Sequence, residues 1–230
     1  MKILTIDTSS NCSSVALSDG ASLLGECILG EDRCNSGRLP DSICKLLASA
    51  GLTPDGLDAF GVSLGPGSFT GVRVGIATVK GLALATRKPV VGFSSLAMLA
   101  MNLPFSSPQV APMFDARKSE VYAGLYRCGL LPEQITPDAV LAPDRFLAAI
   151  DRPTLFIGDG AVRYRDLIRA TLGDLALFAP WHVNLPRASA GAVIALDGAL
   201  GGNFTPLAQL NPVYLRASEA ELAKRRRESI

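Results

Sequence analysis

The stretch from Ser63 to Ala85, SLGPGSFTGVRVGIATVKGLALA, crowds three glycines around a turn and then runs on in small and apolar residues. Its periodicity predicts one long helix over Phe69 to Thr86. Pro66-Gly67 is turn chemistry, and Ser68 is placed to cap the helix. Glycine-rich turns that open helices often hold phosphates, so the spacing has to decide. A P-loop needs a Lys-Ser/Thr pair after its second glycine, whereas five residues on from Gly65 or Gly67 stand Thr70 and Val72. The dinucleotide spacing also fails, because Gly71 comes one residue late. Pro66 further removes one backbone N–H from any such cradle. The turn therefore reads as structural, with only the general affinity of a helix N-terminus for anions.

The helix itself carries the sharper signal. Gly71, Gly75, Thr78, Gly81 and Ala85 follow one another at three- and four-residue steps, along one stripe of small side chains. A glycine inside a helix costs about 1 kcal/mol relative to alanine. Close approach by another backbone is the usual compensation. Two neighbours fit here: the sheet of the same lobe, or a partner chain.

On the N-terminal side, KILTIDTS reads as a strand ending at Asp7, and CSSVALSD and ASLLGECIL read as further strands of the same meander. NSGRLPDSICKLLASAG places Leu39, Ile43, Leu46, Leu47 and Ala50 at helical spacing before the C-cap candidate Gly51. LDAFGVSLG is a buried strand feeding the glycine turn, and KPVVGF and SLAMLAMNL give a strand and a shorter helix. The order β-β-β-α-β-α-β-α implies a mixed sheet with helices packed on it. Beyond residue 102 the opening recurs: QVAPMFDARKSEVYAGLYRC is a strand ending at Asp115, a polar turn and a second strand. TLFIGDGAVRYRDLIRA adds strand, turn and helix, SAGAVIALDGAL another helix, and a closing segment ends in a basic tail. Two related lobes are expected, residues 1–102 and 103–230, with the last helix free to pack back on the first lobe.

The bulk properties narrow the function. With 22 Lys and Arg against 21 Asp and Glu in 230 residues, there is no net field to attract nucleic acid. At 48% apolar, the chain has ample core material. No apolar run is long enough to span a membrane, and Asp7 interrupts any signal-peptide core. The five cysteines form no CxxC pair, as in reduced cytosolic proteins, so a cytoplasmic location is expected. Lys224–Arg227 are four cations in a row, read either as a solvated end or as a contact for an RNA backbone.

The segments GPGSFTGVRVG and DARKSEVY, with IDTSSNCSSVAL and NPVYLR, carry a resemblance to a known family. From Met1 to about Arg216 the sequence resembles the TsaB (YeaZ) family, whose members belong to the bacterial machinery for threonylcarbamoyladenosine in tRNA. The resemblance implies the two-lobed α/β fold of actin, Hsp70-type chaperones and sugar kinases. It also implies a non-catalytic sister of TsaD, the subunit that transfers the threonylcarbamoyl group. TsaD-like proteins carry two metal-binding histidines after the long helix. Aligned through Gly92, those places hold Ser95 and Leu99 here, a poor ligand and an impossible one. No metal and no cofactor are therefore expected, and the lone His182 reads as a packed or surface residue. Asp7 and Asp115 would occupy the turns that face nucleotide phosphates in this superfold, which makes them weak nucleotide candidates. Neither is followed by a glycine-rich turn.

The resemblance further implies pairing through the first two helices, about Ser36–Ala50 and Phe69–Thr86. The expected interface residues are Leu39, Ile43, Leu46, Gly71, Arg73, Val74, Gly75, Thr78 and Leu82. The partner would be a TsaD-like subunit or, without it, a second copy. A TsaE-like ATPase and, through the complex, tRNA are the other implied partners. Family members often carry a histidine where this chain has Asn35, so any contact made by that histidine is lost. Two other classes remain open: a sugar-kinase-type phosphotransferase, on Asp7 and Asp115, and a peptidase, for which the sequence offers neither a metal pair nor a second histidine.

Overall fold

A computed structural model describes residues 1–30 and 35–216, with the backbone alone for residues 35–37. Cys34 and the basic run Lys224–Arg227 lie outside the described residues. Two five-stranded sheets organise the chain. The first contains β1 (Lys2–Asp7), β2 (Ser13–Asp19), β3 (Ser22–Leu29), β4 (Ala59–Ser63) and β5 (Val90–Phe93) in the order β3-β2-β1-β4-β5. The second contains β6 (Gln109–Asp115), β7 (Val121–Cys128), β8 (Pro132–Leu141), β9 (Thr154–Ile157) and β10 (Ala176–Phe178) in the order β10-β9-β6-β7-β8. In each sheet three strands form an antiparallel meander, and two more add in parallel beside the first. The recurring pattern in the sequence is thus one topology used twice. Asp7 and Asp115 end the two equivalent strands, at the same side of the two sheets' meanders.

Strand alternation sorts the cores. Leu4 and Ile6 of β1 face α1 (Asn35–Ser49) and α2 (Phe69–Thr86), in a cluster with Leu39, Ile43, Leu47, Val72, Ile76 and Val79. Ile3 faces the other way and packs, with Val91, against Ala195 and Ala199 of α7 (Ala188–Leu200). In the second sheet Val110 and Phe114 meet Leu96 and Leu99 of α3 (Ser95–Ala100). Ala111 and Met113 face Phe146 of α4 (Pro143–Leu147), Ala161 of α5 (Asp159–Arg163) and Ile168 of α6 (Arg165–Leu172). Two helices therefore cross over. The late helix α7 covers the first sheet, and the early helix α3 packs on the second, so the packing units interleave across the expected lobe boundary near residue 102. Carboxylate chemistry fixes one crossing: Glu26 on β3 accepts from Arg187 and from the Ser189 N–H at 2.9 Å, at the N-terminus of α7.

β8 was not anticipated from the sequence. It contains Pro132 and Pro137 and runs along a sheet edge, where a missing N–H costs no ladder bond. Among the described residues, no helix is long and apolar enough to cross a membrane.

Candidate functional site

The ends of β1, β4 and β6 converge on a cleft between the two sheets, with a cavity of about 450 Å³. Its walls are the β1–β2 turn (Ser9 to Asn11), the glycine turn (Pro66 to Phe69), the β6–β7 turn (Asp115 to Lys118) and the closing segment (Val213 to Arg216).

The glycine turn owes its composition to the wall beside it. A Cβ at Gly67 would overlap the Ser9 carbonyl oxygen, and one at Gly71 would overlap the Thr8 carbonyl oxygen. The Ser68 N–H donates to the Ser9 carbonyl at 2.7 Å, and the Thr8 hydroxyl donates to the Gly71 carbonyl at 2.7 Å. Ser68 caps α2 as its position predicted, accepting from the Gly71 N–H at 3.2 Å. The glycines thus press the first turn of α2 onto the β1–β2 turn.

The two aspartates differ. Asp7 does not reach the cavity: it is fully buried, accepts from the Ser63 hydroxyl and the Ser9 N–H, and its Oδ2 has no hydrogen-bond partner. Burial pushes its pKa above the usual carboxylate value, against the hydrogen bonds from Ser63 and Ser9. The carboxyl expected to face nucleotide phosphates is thus buried and is not part of the cavity lining. Asp115 does line the cleft, but Arg163 pairs with it at 2.7 Å and the Arg117 N–H donates to it at 3.0 Å. Its own N–H donates to Asp159 at 3.1 Å. Gly158 and Gly160, in the turn from β9 into α5, lie hard against the Met113 and Phe114 backbone, so their small size serves packing. Three consecutive non-glycine residues, Arg117, Lys118 and Ser119, take left-handed φ values of 59°, 51° and 59°. Each such residue costs on the order of 1 kcal/mol, and the polar turn read from the sequence holds no glycine or asparagine to signal a left-handed backbone.

The two positions aligned with metal-binding histidines are core positions. Ser95 is buried and donates its hydroxyl to the Pro66 carbonyl, and Leu99 is buried in the second lobe. Among the described residues no three His, Cys, Asp or Glu side chains are grouped to hold a metal ion. His182 is a surface residue set edge-on to Trp181. The Cys12 and Cys128 thiols are pushed up to about 11 by burial, far from a reactive thiolate.

The expected interface residues divide by face. Leu39 and Ile43 are buried in the core of their own lobe, and Leu46 lies over Gly25. Gly71 and Gly75 are covered by Thr8, so at these two positions the close neighbour is the chain's own β1–β2 turn. Val74, Thr78 and Leu82 are half-buried, and Arg73 is exposed. Farther along α2 the outward row continues through Ala77, Gly81, Leu84 and Ala85. Leu84 is 68% exposed, and a Cβ at Gly81 would meet nothing within 4 Å. The small-residue stripe of the sequence does not separate these exposed positions from the inward Gly71 and Gly75, and Ala77 and Leu84 stand outside it.

Comparison with known proteins bears on this geometry. The family model described as TsaD, tRNA N6-adenosine threonylcarbamoyltransferase, matches residues 32–224. The chain is 34% identical over 226 residues to the tRNA threonylcarbamoyladenosine biosynthesis protein TsaB of Bacillus subtilis, covering 96% of each. It is 30% identical over 228 residues to the protein of the same name from Escherichia coli, again covering 96% of each. The solved structure of YeaZ from Pseudomonas aeruginosa superposes with a TM-score of 0.82 at 33% identity, over 93% of this chain and 99% of that one. An activator of 2-hydroxyisocaproyl-CoA dehydratase from Clostridium difficile, solved with bound ADPNP, reaches 0.52 at 10% identity over 88% of this chain and 97% of that one, a likeness of fold alone.

Proposed function

The chain belongs to the TsaB (YeaZ) family of tRNA threonylcarbamoyladenosine biosynthesis, and from that premise we propose that it is a non-catalytic scaffold and activator subunit. It pairs through the outward face of α2 with a TsaD-like catalytic subunit, and with a second copy of itself when alone. The observation that carries the pairing is Gly81. It is exposed, it lies inside an 18-residue helix, and among the described residues nothing beyond its own helix comes within 4 Å of where a Cβ would stand. A helix that gives up about 1 kcal/mol at such a position gains a surface on which another backbone can lie close. Ala77 and Ala85, one turn to either side, extend that flat surface.

The non-catalytic half of the reading draws on where the chemistry-bearing positions go. Asp7 is buried, Asp115 is neutralised by Arg163, and Ser95 and Leu99 are packing residues. The partner then supplies the transfer chemistry. A TsaE-like ATPase joins the same cytoplasmic assembly, and tRNA engages this chain through it.

The deciding experiment is a tRNA modification assay with purified subunits of one organism, each omitted in turn. Loss of modification without this chain, together with inactivity of the chain alone, supports the activator role. A second reading, a phosphotransferase, is favoured by one observation: Asp115, Arg117 and Lys118 share the wall of a 450 Å³ cavity. Steady ATP turnover by the isolated chain would move that reading to first place.

A further inference from the structure

The motif NPVYLR, Asn211 to Arg216, lies outside α2, yet Val213, Tyr214 and Arg216 each contact a different part of the cleft. The segment leaves the first lobe from firm ground. The Thr205 N–H donates to the Val90 carbonyl at 2.8 Å, and Leu210 is completely buried in the core shared by α1 and α2. The Val213 N–H then donates to the Leu64 carbonyl at 2.7 Å, at the mouth of the glycine turn. Tyr214 stacks on Phe69 with ring centroids 5.2 Å apart, and its hydroxyl accepts from Arg73 Nε at 2.6 Å. The same guanidinium lies 3.7 Å over the Phe69 ring. Two residues later Arg216 has crossed to the second lobe, where it donates to the Ala116 carbonyl at 3.1 Å and pairs with Glu120.

We propose that Asn211–Arg216 is a clamp that holds the two lobes at a fixed closure and forms a removable wall of the cleft. Its N-lobe jaw is the slot made by Phe69 and Arg73; its C-lobe jaw is the left-handed turn from Ala116 to Glu120. The geometry favours a clamp over a passive connection for two reasons. Both ends are held by side chains with directional partners: Tyr214 stacks on Phe69 and accepts from Arg73, and the Arg216 guanidinium meets a carbonyl and a carboxylate. The segment between them, Val213 to Arg216, lines the cavity. Releasing either end therefore loosens a wall shared by both lobes. Because Arg73 stands in the outward row of α2, the N-lobe jaw also borders the surface proposed for pairing.

Amide hydrogen exchange of the full chain tests this by a crossed effect. Tyr214→Ala, at the N-lobe jaw, is expected to raise exchange about tenfold in residues 116–120 of the second lobe, equivalent to roughly 1.4 kcal/mol of lost local protection. Arg216→Ala, at the C-lobe jaw, is expected to do the same in residues 64–71 of the first lobe. The milder Tyr214→Phe and Arg216→Lys keep most of the packing and should give the same crossed pattern at smaller amplitude. If each variant loosens only its own end, the segment is a passive connection and the clamp is wrong. A uniform rise across both cores in all four variants would overturn it as well, since the segment would then stabilise the whole fold without joining the lobes.

Discussion

The Thr8 hydroxyl donates to the Gly71 carbonyl at 2.7 Å, while the Thr8 carbonyl oxygen occupies the space where a side chain on residue 71 would begin. One residue of the β1–β2 turn thus fixes both the place and the composition of the first turn of α2. Ten residues along the same helix, Gly81 has open space around it. The two glycines should therefore respond oppositely to a single methyl group. Gly71→Ala forces the methyl against a backbone oxygen that cannot swing away, and is expected to cost about 2–4 kcal/mol. Gly81→Ala removes only a helix-propensity penalty and is expected to stabilise the monomer by about 0.5–1 kcal/mol. Urea denaturation of both variants at a protein concentration that keeps the chain monomeric reads the two signs directly. Equal effects would mean that the packing at Thr8 is not what requires glycine at 71.

The burial of Asp7 makes a prediction about pH. Its folded-state pKa is raised above the ordinary 3.8, chiefly by desolvation, so the unfolded chain gives up this proton more readily than the folded one. This group's contribution therefore favours the folded state less as pH rises from about 3.8 through the raised value. Asp7→Asn keeps a polar group for Ser63 and Ser9 and removes the titration. The variant should gain stability relative to the parent at pH 7, and the gain should shrink toward zero near pH 4. Denaturation curves at the two pH values check it. A variant less stable than the parent at pH 7 would show that the ionised carboxylate is wanted there.

Glu26 behaves in the opposite sense. Burial alone would push its carboxyl up, yet the Arg187 guanidinium and the Ser189 N–H hold it below its usual 4.5. A depressed folded pKa gives stability that is present above the unfolded value and is lost as pH falls through the folded one. Glu26→Gln leaves Arg187 without its counter-charge at the start of α7 and is expected to cost about 1–3 kcal/mol at pH 7. The cost should fade below pH 4. Thermal unfolding across that range would follow it, and a cost independent of pH would assign the loss to packing rather than to charge.

Much of this fold could be read from the residues. Apolar runs ending at Asp7 and Asp115, each followed by a polar turn and a second strand, announced one topology used twice. Thr86 and Phe69 bounded α2 correctly because Ser68 caps one end and the periodicity fails at the other. What could not be read was which neighbour meets which glycine. Gly71 and Gly81 are chemically identical in the sequence, and only the position of Thr8 in space separates an inward contact from an open face. The same limit hid the clamp. Tyr214 and Arg73 are 141 residues apart in the chain, so neither their hydrogen bond nor the cavity wall beside it leaves a local pattern. β8 escaped for a different reason: its prolines suppress the strand signal, while an edge position removes their cost.

The pairing face yields the last prediction. Gly75 is the wrong position at which to test it, because a leucine there would be driven into the Thr8 hydroxyl and would disturb the lobe itself. Gly81 is the right one, since its Cβ direction is open and its neighbours Ala77 and Ala85 are exposed and small. Gly81→Leu should leave the melting temperature of the monomer unchanged or slightly raised, because leucine is a good helix former. On a helix–helix contact that depends on close backbone approach, the same side chain holds the helices apart. Association with the TsaD-like subunit, or of two copies of this chain, is then expected to weaken about tenfold or more. Sedimentation at several concentrations, with and without the partner, measures both. Unchanged association with an intact monomer would remove α2 from the interface and leave Gly81 unexplained.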